Sequence, residues 1–354
     1  MGFDILGTRQ APTFGLDTFG DVENGADGQP VSQAEAIRQV VAEGVLADRV
    51  GVDYLGVGEH HRTEMAVSSP DVVLAAIAGQ TERIRLGTAV TVLSSDDPVR
   101  VYERFATLDA LSRGRAEVTL GRGSFTESFP LFGYSLDDYE ALFAEKLDLF
   151  TKLQEEKPVT WSGTVRPALD GAQAFPVTES GRLPAWVGVG GTPQSVVRAA
   201  AYGLPLVMAV IGGSPERFKP LADLYRRALK EAGQPELPIS MHSPGHVAET
   251  DELAMAQHFP HHQAAFAKIG AERGWGPMTR ADYDATAGSR GALFVGSVET
   301  VARKIAWSVR TLGLSRFQLK YGAGALPHEQ RMESIRLYGE QVVPRVKELL
   351  AEQN

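Results

Sequence analysis

Apolar positions recur along the chain with two alternating periods, one suited to short buried strands and one to amphipathic helices. The stretch 186–210 shows both. Trp186, Val187 and Val189 suit a buried strand, which Gly190 and Gly191 break. Thr192 is a favourable N-cap, and Pro193 stands at the first helical position, where its missing N–H costs nothing. Val196, Val197, Ala200 and Ala201 give the helix an apolar face, Gly203 is placed to end it, and 204–210 reads as a second buried strand. The whole predicts a βαβ unit with parallel strands.

The same alternation runs through the chain. Strands are expected at 3–6, 54–58, 84–92, 116–120, 237–247 and 316–320. Ser32 and Glu35 form a capping box for a helix to about residue 50. Further helices are expected at 70–81, 99–111, 136–154, 216–232, 250–273, 297–312 and 330–350, with possible bends at Pro260 and Pro344. Eight strand–helix alternations without repeat or linker favour a single α/β domain over 1–354, a closed (β/α)8 TIM barrel. An open dinucleotide-binding sheet lacks its Gly-x-Gly-x-x-Gly fingerprint. Segments of about 10–30, 157–184 and 274–292 read as loop insertions at the C-terminal face, the middle one irregular or a hairpin.

Composition narrows the function. A net charge of −9 argues against a nucleic-acid partner. No apolar run is long enough to cross a bilayer, and the first residues carry no basic region of a signal peptide. The absence of cysteine excludes disulfides, thiol nucleophiles and cysteine-bound clusters, and a cytoplasmic location is the default.

In a barrel the chemistry lies just after the strands. At 190–195, glycines without Cβ, free N–H groups of a first helical turn, and the hydroxyls of Thr192 and Ser195 can hold a phosphate. An ordinary capped helix is equally open on this stretch alone. Arg122 stands between Gly121 and Gly123, where its planar fork could meet an anion or a neighbouring helix. It follows the strand before the Thr192 turn, so the two can converge. Glu59-His60-His61 follows the second strand. Either could be a general base, but neighbours on an extended segment face opposite ways, so only one of the pair can face the site easily, and a hydrogen-bonded structural role fits His61 better than His60. A metal site is disfavoured, since ligand spacings such as His-Glu-x-x-His are absent. His258, His261 and His262 read as a polar helix face, and His246 and His328 as isolated. Phe14, Phe19 and Phe125 are candidates for an apolar lid or for core.

Several segments together resemble the bacterial luciferase-like flavin-dependent monooxygenases. They are 52–61 (VDYLGVGEHH), 86–90 (LGTAV), 111–115 (LSRGR), 120–123 (LGRG), Phe132-Gly133, 202–205 (YGLP) and 294–297 (FVGS). The resemblance implies an FMN-binding barrel. Arg122, the Gly191 backbone, Thr192 and Ser195 match the family's phosphate grip, and His60 matches its histidine beside the flavin ring. Ala89 and Val90 match a bulge, often with a cis non-prolyl peptide, that supports the ring. Gly121 stands where luciferase has a cysteine and Gly191 where it has an acid, and the 10–30 loop is longer here, so a long-chain aldehyde substrate is in question.

The implied activity is a monooxygenase in which reduced FMN and O2 oxygenate a small organic substrate. Electrons would come from a separate flavin reductase or from NAD(P)H. A homodimer through the second and third helices is expected. The alternatives are a deazaflavin- or NAD(P)H-dependent reductase on the same barrel and a non-catalytic flavin-binding protein, with a metal-dependent hydrolase more distant.

Overall fold

A computed structural model describes residues 11–25, 27–179 and 181–352. Its strands are β1 (Thr13–Thr18), β2 (Tyr54–Val57), β3 (Arg85–Thr88), β4 (Thr91–Val92), β5 (Val118–Gly121), β6 (Val159–Trp161), β7 (Leu169–Ala172), β8 (Ala185–Val189), β9 (Leu206–Ala209), β10 (Ile239–Val247), β11 (Phe294–Gly296) and β12 (Arg316–Lys320). Its helices are α1 (Gln33–Arg49), α2 (Pro70–Ala78), α3 (Pro98–Ser112), α4 (Ser128–Leu131), α5 (Tyr139–Leu153), α6 (Pro193–Ala201), α7 (Lys219–Glu231), α8 (Asp251–Arg273), α9 (Arg280–Ala287), α10 (Val298–Leu312), α11 (His328–Leu337) and α12 (Val343–Ala351).

Parallel pairing runs β3-β2-β1-β12-β10-β9-β8-β5-β4. The chain passes directly from β3 into β4, and a parallel bridge joins Leu86 to Ala116 beside β5. Strands β3 and β4 thus form one stave of an eight-stave barrel, as the alternation implies. Outward residues such as Phe14, Leu16, Leu55, Leu86 and Leu120 are buried against the surrounding helices.

Some of these expectations change and others hold. The candidate strand 3–6 lies outside the described residues. The first stave is instead β1, inside the segment read as an insertion, paired with β2 and β12. Its outward Phe14 and Leu16 alternate with Gly15 and Asp17, so only half of the strand reads as apolar. The 274–292 segment contains α9, started by a reciprocal capping box between Thr279 and Asp282. The 157–184 segment carries the antiparallel hairpin β6–β7. At the C-terminus, a π-type turn at Tyr338–Val342 separates α11 from α12, just ahead of Pro344. Helix α8 runs unbroken through Pro260.

An ion pair plugs the lower barrel. Glu117, 2% exposed, accepts from Arg316 through both oxygens and from Arg85 Nε at 3.1 Å. The Arg316 guanidinium also lies 4.4 Å from the Tyr54 ring centre and 4.6 Å from that of Trp186. Two cations around one carboxylate hold the Glu117 pKa below its usual value, against the opposing effect of burial. This filled floor leaves the C-terminal mouth as the open end.

Candidate active site

The mouth is built on the stave formed by β3 and β4. Between them the Ala89–Val90 peptide is cis. Glu59, just after β2, clamps this break from both sides: its N–H donates to Val90 O (3.1 Å), and its Oε2 accepts from Val92 N–H (2.8 Å). Its other oxygen meets His61 Nε2 at 3.1 Å, which makes His61 the structural member of the pair. The Val90 side chain fills the space that a Cβ on Gly121 would need and lies 3.0 Å from one on Gly188. Two glycines on β5 and β8 therefore admit Val90 over the barrel.

His60 turns the other way. Its ring lies 4.6 Å from Phe19 and 5.2 Å edge-on from Phe125. Its Nδ1 is buried with no hydrogen-bond partner. Burial pushes its pKa down to about 3, so the imidazole is neutral at ordinary pH. Phe19 lies over Gly58, where a Cβ would collide with its ring. Phe125 is flanked by the guanidinium groups of Arg62 (4.9 Å) and Arg273 (5.1 Å). Phe14, by contrast, is fully buried in the core and lines no lid.

The turn after β8 opens as its residue types suggest. A Cβ on Gly190 would meet nothing within 4 Å, and Gly191 has φ +121°, a conformation that side-chain-bearing residues rarely adopt. Thr192 is the N-cap of α6, yet its hydroxyl does not cap the helix; it donates to Ser195 Oγ at 2.8 Å. Arg122 does not stand free. It pairs with Glu140 at the start of α5, whose second oxygen accepts from Arg198 Nη2 at 3.0 Å. Arg198 lies one turn beyond Ser195 on α6. The exposed carboxylate of Glu140 thus links the arginine after β5 to the hydroxyl-bearing helix after β8, and Arg198 Nη1 remains buried without a partner.

One site pair carries no obvious sequence signal. His242, on the inner face of β10, holds its Nδ1 2.6 Å from the Asp17 carboxylate, which accepts from it. The other histidines also differ from expectation. His258 is fully buried rather than part of a polar face; it meets the Tyr283 hydroxyl at 3.0 Å and stacks at 6.2 Å on His246. His328 is tied to Glu43 at 2.9 Å. No group of three metal-ligating side chains is present among the described residues.

The comparisons agree with this architecture. The profile of the luciferase-like monooxygenases matches residues 18–316, and the chain belongs to that family. It is 28% identical over 214 residues to an alkanal monooxygenase alpha chain of Photorhabdus luminescens, covering 57% of this chain and 56% of the relative. It is 30% identical over 190 residues to the 4-hydroxyprotoasukamycin monooxygenase of Streptomyces nodosus subsp. asukaensis, covering 53% of this chain and 51% of the relative. The chain thus aligns with a little over half the length of these relatives. The monooxygenase RslO1 of Streptomyces bottropensis superposes with a TM-score of 0.81 at 25% identity, over 94% of this chain and 99% of that one. The oxygenating constituent of 3,6-diketocamphane monooxygenase from Pseudomonas putida, in complex with FMN, gives 0.77 at 18% over 95% and 99%. A coenzyme F420-dependent tetrahydromethanopterin reductase from Methanopyrus kandleri gives 0.69 at 18% over 95% and 100%; these last two show the shared fold. Among the described residues, no helix is long and apolar enough to cross a membrane.

Proposed function

We propose that this family member is an FMN-dependent monooxygenase that uses reduced FMN and O2 to oxygenate a small organic substrate. The observation that carries the reading is the open turn at Gly190–Ser195 linked to Arg122 through Glu140 and Arg198. A dianion could displace the exposed Glu140 carboxylate from those cations, and Gly190 has room for a ligand against its backbone. The orphaned Nδ1 of His60 supplies a second fit, a buried polar atom awaiting a partner at the mouth.

In this reading Arg122, the Gly191 backbone, Thr192 and Ser195 hold the phosphate, and Ala89 and Val90 support the ring. When bound and reduced, FMN supplies the electrons that activate O2, one oxygen atom going to substrate and the other to water. His60, kept neutral by burial, accepts or donates a hydrogen bond at the reacting centre. Phe19 and Phe125 keep water from that side. The protein acts on its substrate as a homodimer and receives reduced flavin from a reductase or through NAD(P)H.

The test is oxygen uptake with chemically reduced FMN and candidate substrates, with 18O2 traced into product by mass spectrometry. One labelled atom per product supports the reading. Turnover without oxygen, using reduced F420, would replace it with the reductase alternative.

A further inference from the structure

Asp17 and His242 face each other across the upper barrel from β1 and β10. Asp17 is fully buried, and one of its oxygens accepts from His242 Nδ1 at 2.6 Å. That bond places the Nδ1 proton towards the carboxylate and turns Nε2 away from it. Among the described residues Nε2 has no hydrogen-bond partner, and the side chain keeps 10% exposure. The His242 ring stacks on Phe19 at 5.9 Å and 15°, and Phe19 also packs against His60 at 4.6 Å. Two imidazoles thus flank one phenylalanine at the mouth. Only one of them, His242, has a carboxylate behind it.

We propose that His242, held by Asp17, is a second, substrate-facing base of this site, and that it takes the proton from the phenolic or enolic hydroxyl of a planar substrate. This rests on the mouth being the substrate site of the flavin-dependent enzyme proposed above. The substrate O–H bond breaks, its proton forms the N–H bond at Nε2, and the electron pair stays on the substrate oxygen. The imidazolium then stands against the Asp17 carboxylate, as in other carboxylate–imidazole pairs. Asp17 is the positioning residue. An acidic hydroxyl is the group such a base can ionise, whereas an aliphatic C–H or an aldehyde offers it no proton within reach. The aromatic walls, Phe19 and Phe125, suit a flat ring.

The charged surroundings are compatible with an anion. Lys320 on β12 lies 4.9 Å from the Phe19 ring centre and is tied to Asp21 at 2.7 Å. Arg316 and Glu117 sit below as the paired floor, His60 is neutral, and the facing residue on β9 is Ala209. Burial raises the Asp17 pKa while the His242 bond opposes the rise. His258 and His262 on α8, which feel Lys320, are held neutral by burial.

The test uses 4-nitrophenol, whose phenolate is yellow and which ionises near neutral pH, with both apo and FMN-loaded full-length protein. Wild type should lower the bound probe's midpoint by a unit or more, so that one unit below the free midpoint the phenolate fraction rises about fivefold. Asp17→Asn and His242→Asn should abolish the rise, and His60→Gln should retain it. Histidine 15N NMR of the apo protein is the second readout: wild-type His242 should hold its proton on Nδ1 beside Asp17, and Asp17→Asn should change that tautomer preference. No saturable probe binding, an unshifted probe, or a rise that persists in His242→Asn overturns the proposal. FMN binding followed separately by fluorescence distinguishes the two readings. Loss of FMN binding with an intact phenolate rise defeats the flavin reading alone; normal FMN binding with no rise defeats this one alone.

Discussion

Val90 occupies the space that a side chain on Gly121 would fill. The two residues come from adjacent staves, and their fit places the Ala89–Val90 break over the barrel under the grip of Glu59. A methyl group at position 121 must therefore displace Val90. Gly121→Ala is expected to cost about 1–3 kcal/mol of stability by overpacking. If Val90 supports the flavin ring as proposed, the same variant should also weaken FMN binding. Urea unfolding and a flavin titration on the same variant check both effects, and an unchanged FMN affinity would detach Val90 from the cofactor.

The arginine after β5 and the hydroxyls after β8 should act together. On the proposed reading, Arg122→Ala removes a charge-assisted contact to the phosphate worth about 1.5–3 kcal/mol, or roughly 10- to 150-fold in FMN Kd. Ser195→Ala should cost less, about 0.5–1.5 kcal/mol. Isothermal titration with FMN measures both. Equal affinities in wild type and Arg122→Ala would leave the arginine to its salt bridge with Glu140.

His60→Ala separates chemistry from binding. With no partner on Nδ1, its loss breaks no hydrogen bond of that atom. FMN affinity should stay within about twofold while turnover falls by about 100-fold or more. Parallel loss of both in a kinetic and binding comparison would mark His60 as structural.

The buried histidines make the fold acid-sensitive. An unfolded histidine titrates near 6.5, whereas burial lowers His60 to about 3 and His262 to about 4. Because the folded values are depressed, their contribution to stability is fully present above the unfolded value. It is lost as pH falls towards the folded one, by about 1.4 kcal/mol per unit per histidine. Denaturant titrations should show about 2–4 kcal/mol less stability at pH 5 than at pH 7. A flat profile across that window would contradict neutral, buried imidazoles.

Much of this architecture was legible from the residues, and the misses have physical causes. The βαβ unit at 185–209 declared itself because both strands are apolar on their outward faces and Thr192, Pro193 and Gly203 punctuate the helix. Strand β1 hid because a stave's inner face need not be apolar near the mouth: Gly15 and Asp17 look like loop residues until β2 and β12 pair with them. Alternation predicts that His60 and His61 face opposite ways, and Glu59 takes up His61. The Asp17–His242 pair joins residues 225 apart in sequence, a relation that no local pattern encodes. The motif around Arg115 proved structural, since its guanidinium caps carbonyls at Ala78, Thr81 and Ile84 after α2.

The proposed homodimer rests on helices α2 and α3, where Val72 is 64% and Leu111 59% exposed. Val72→Glu should shift the protein towards monomer in light-scattering chromatography. A wild-type protein that is already monomeric would remove this part of the account.

The grip on a dianion is tested most directly by comparing FMN with riboflavin, which differs only in lacking the phosphate. Titrated under the same conditions, FMN should bind at least about tenfold more tightly, and Arg122→Ala should shrink that ratio. Equal affinities for the two flavins, or no saturable binding of either, would contradict the account.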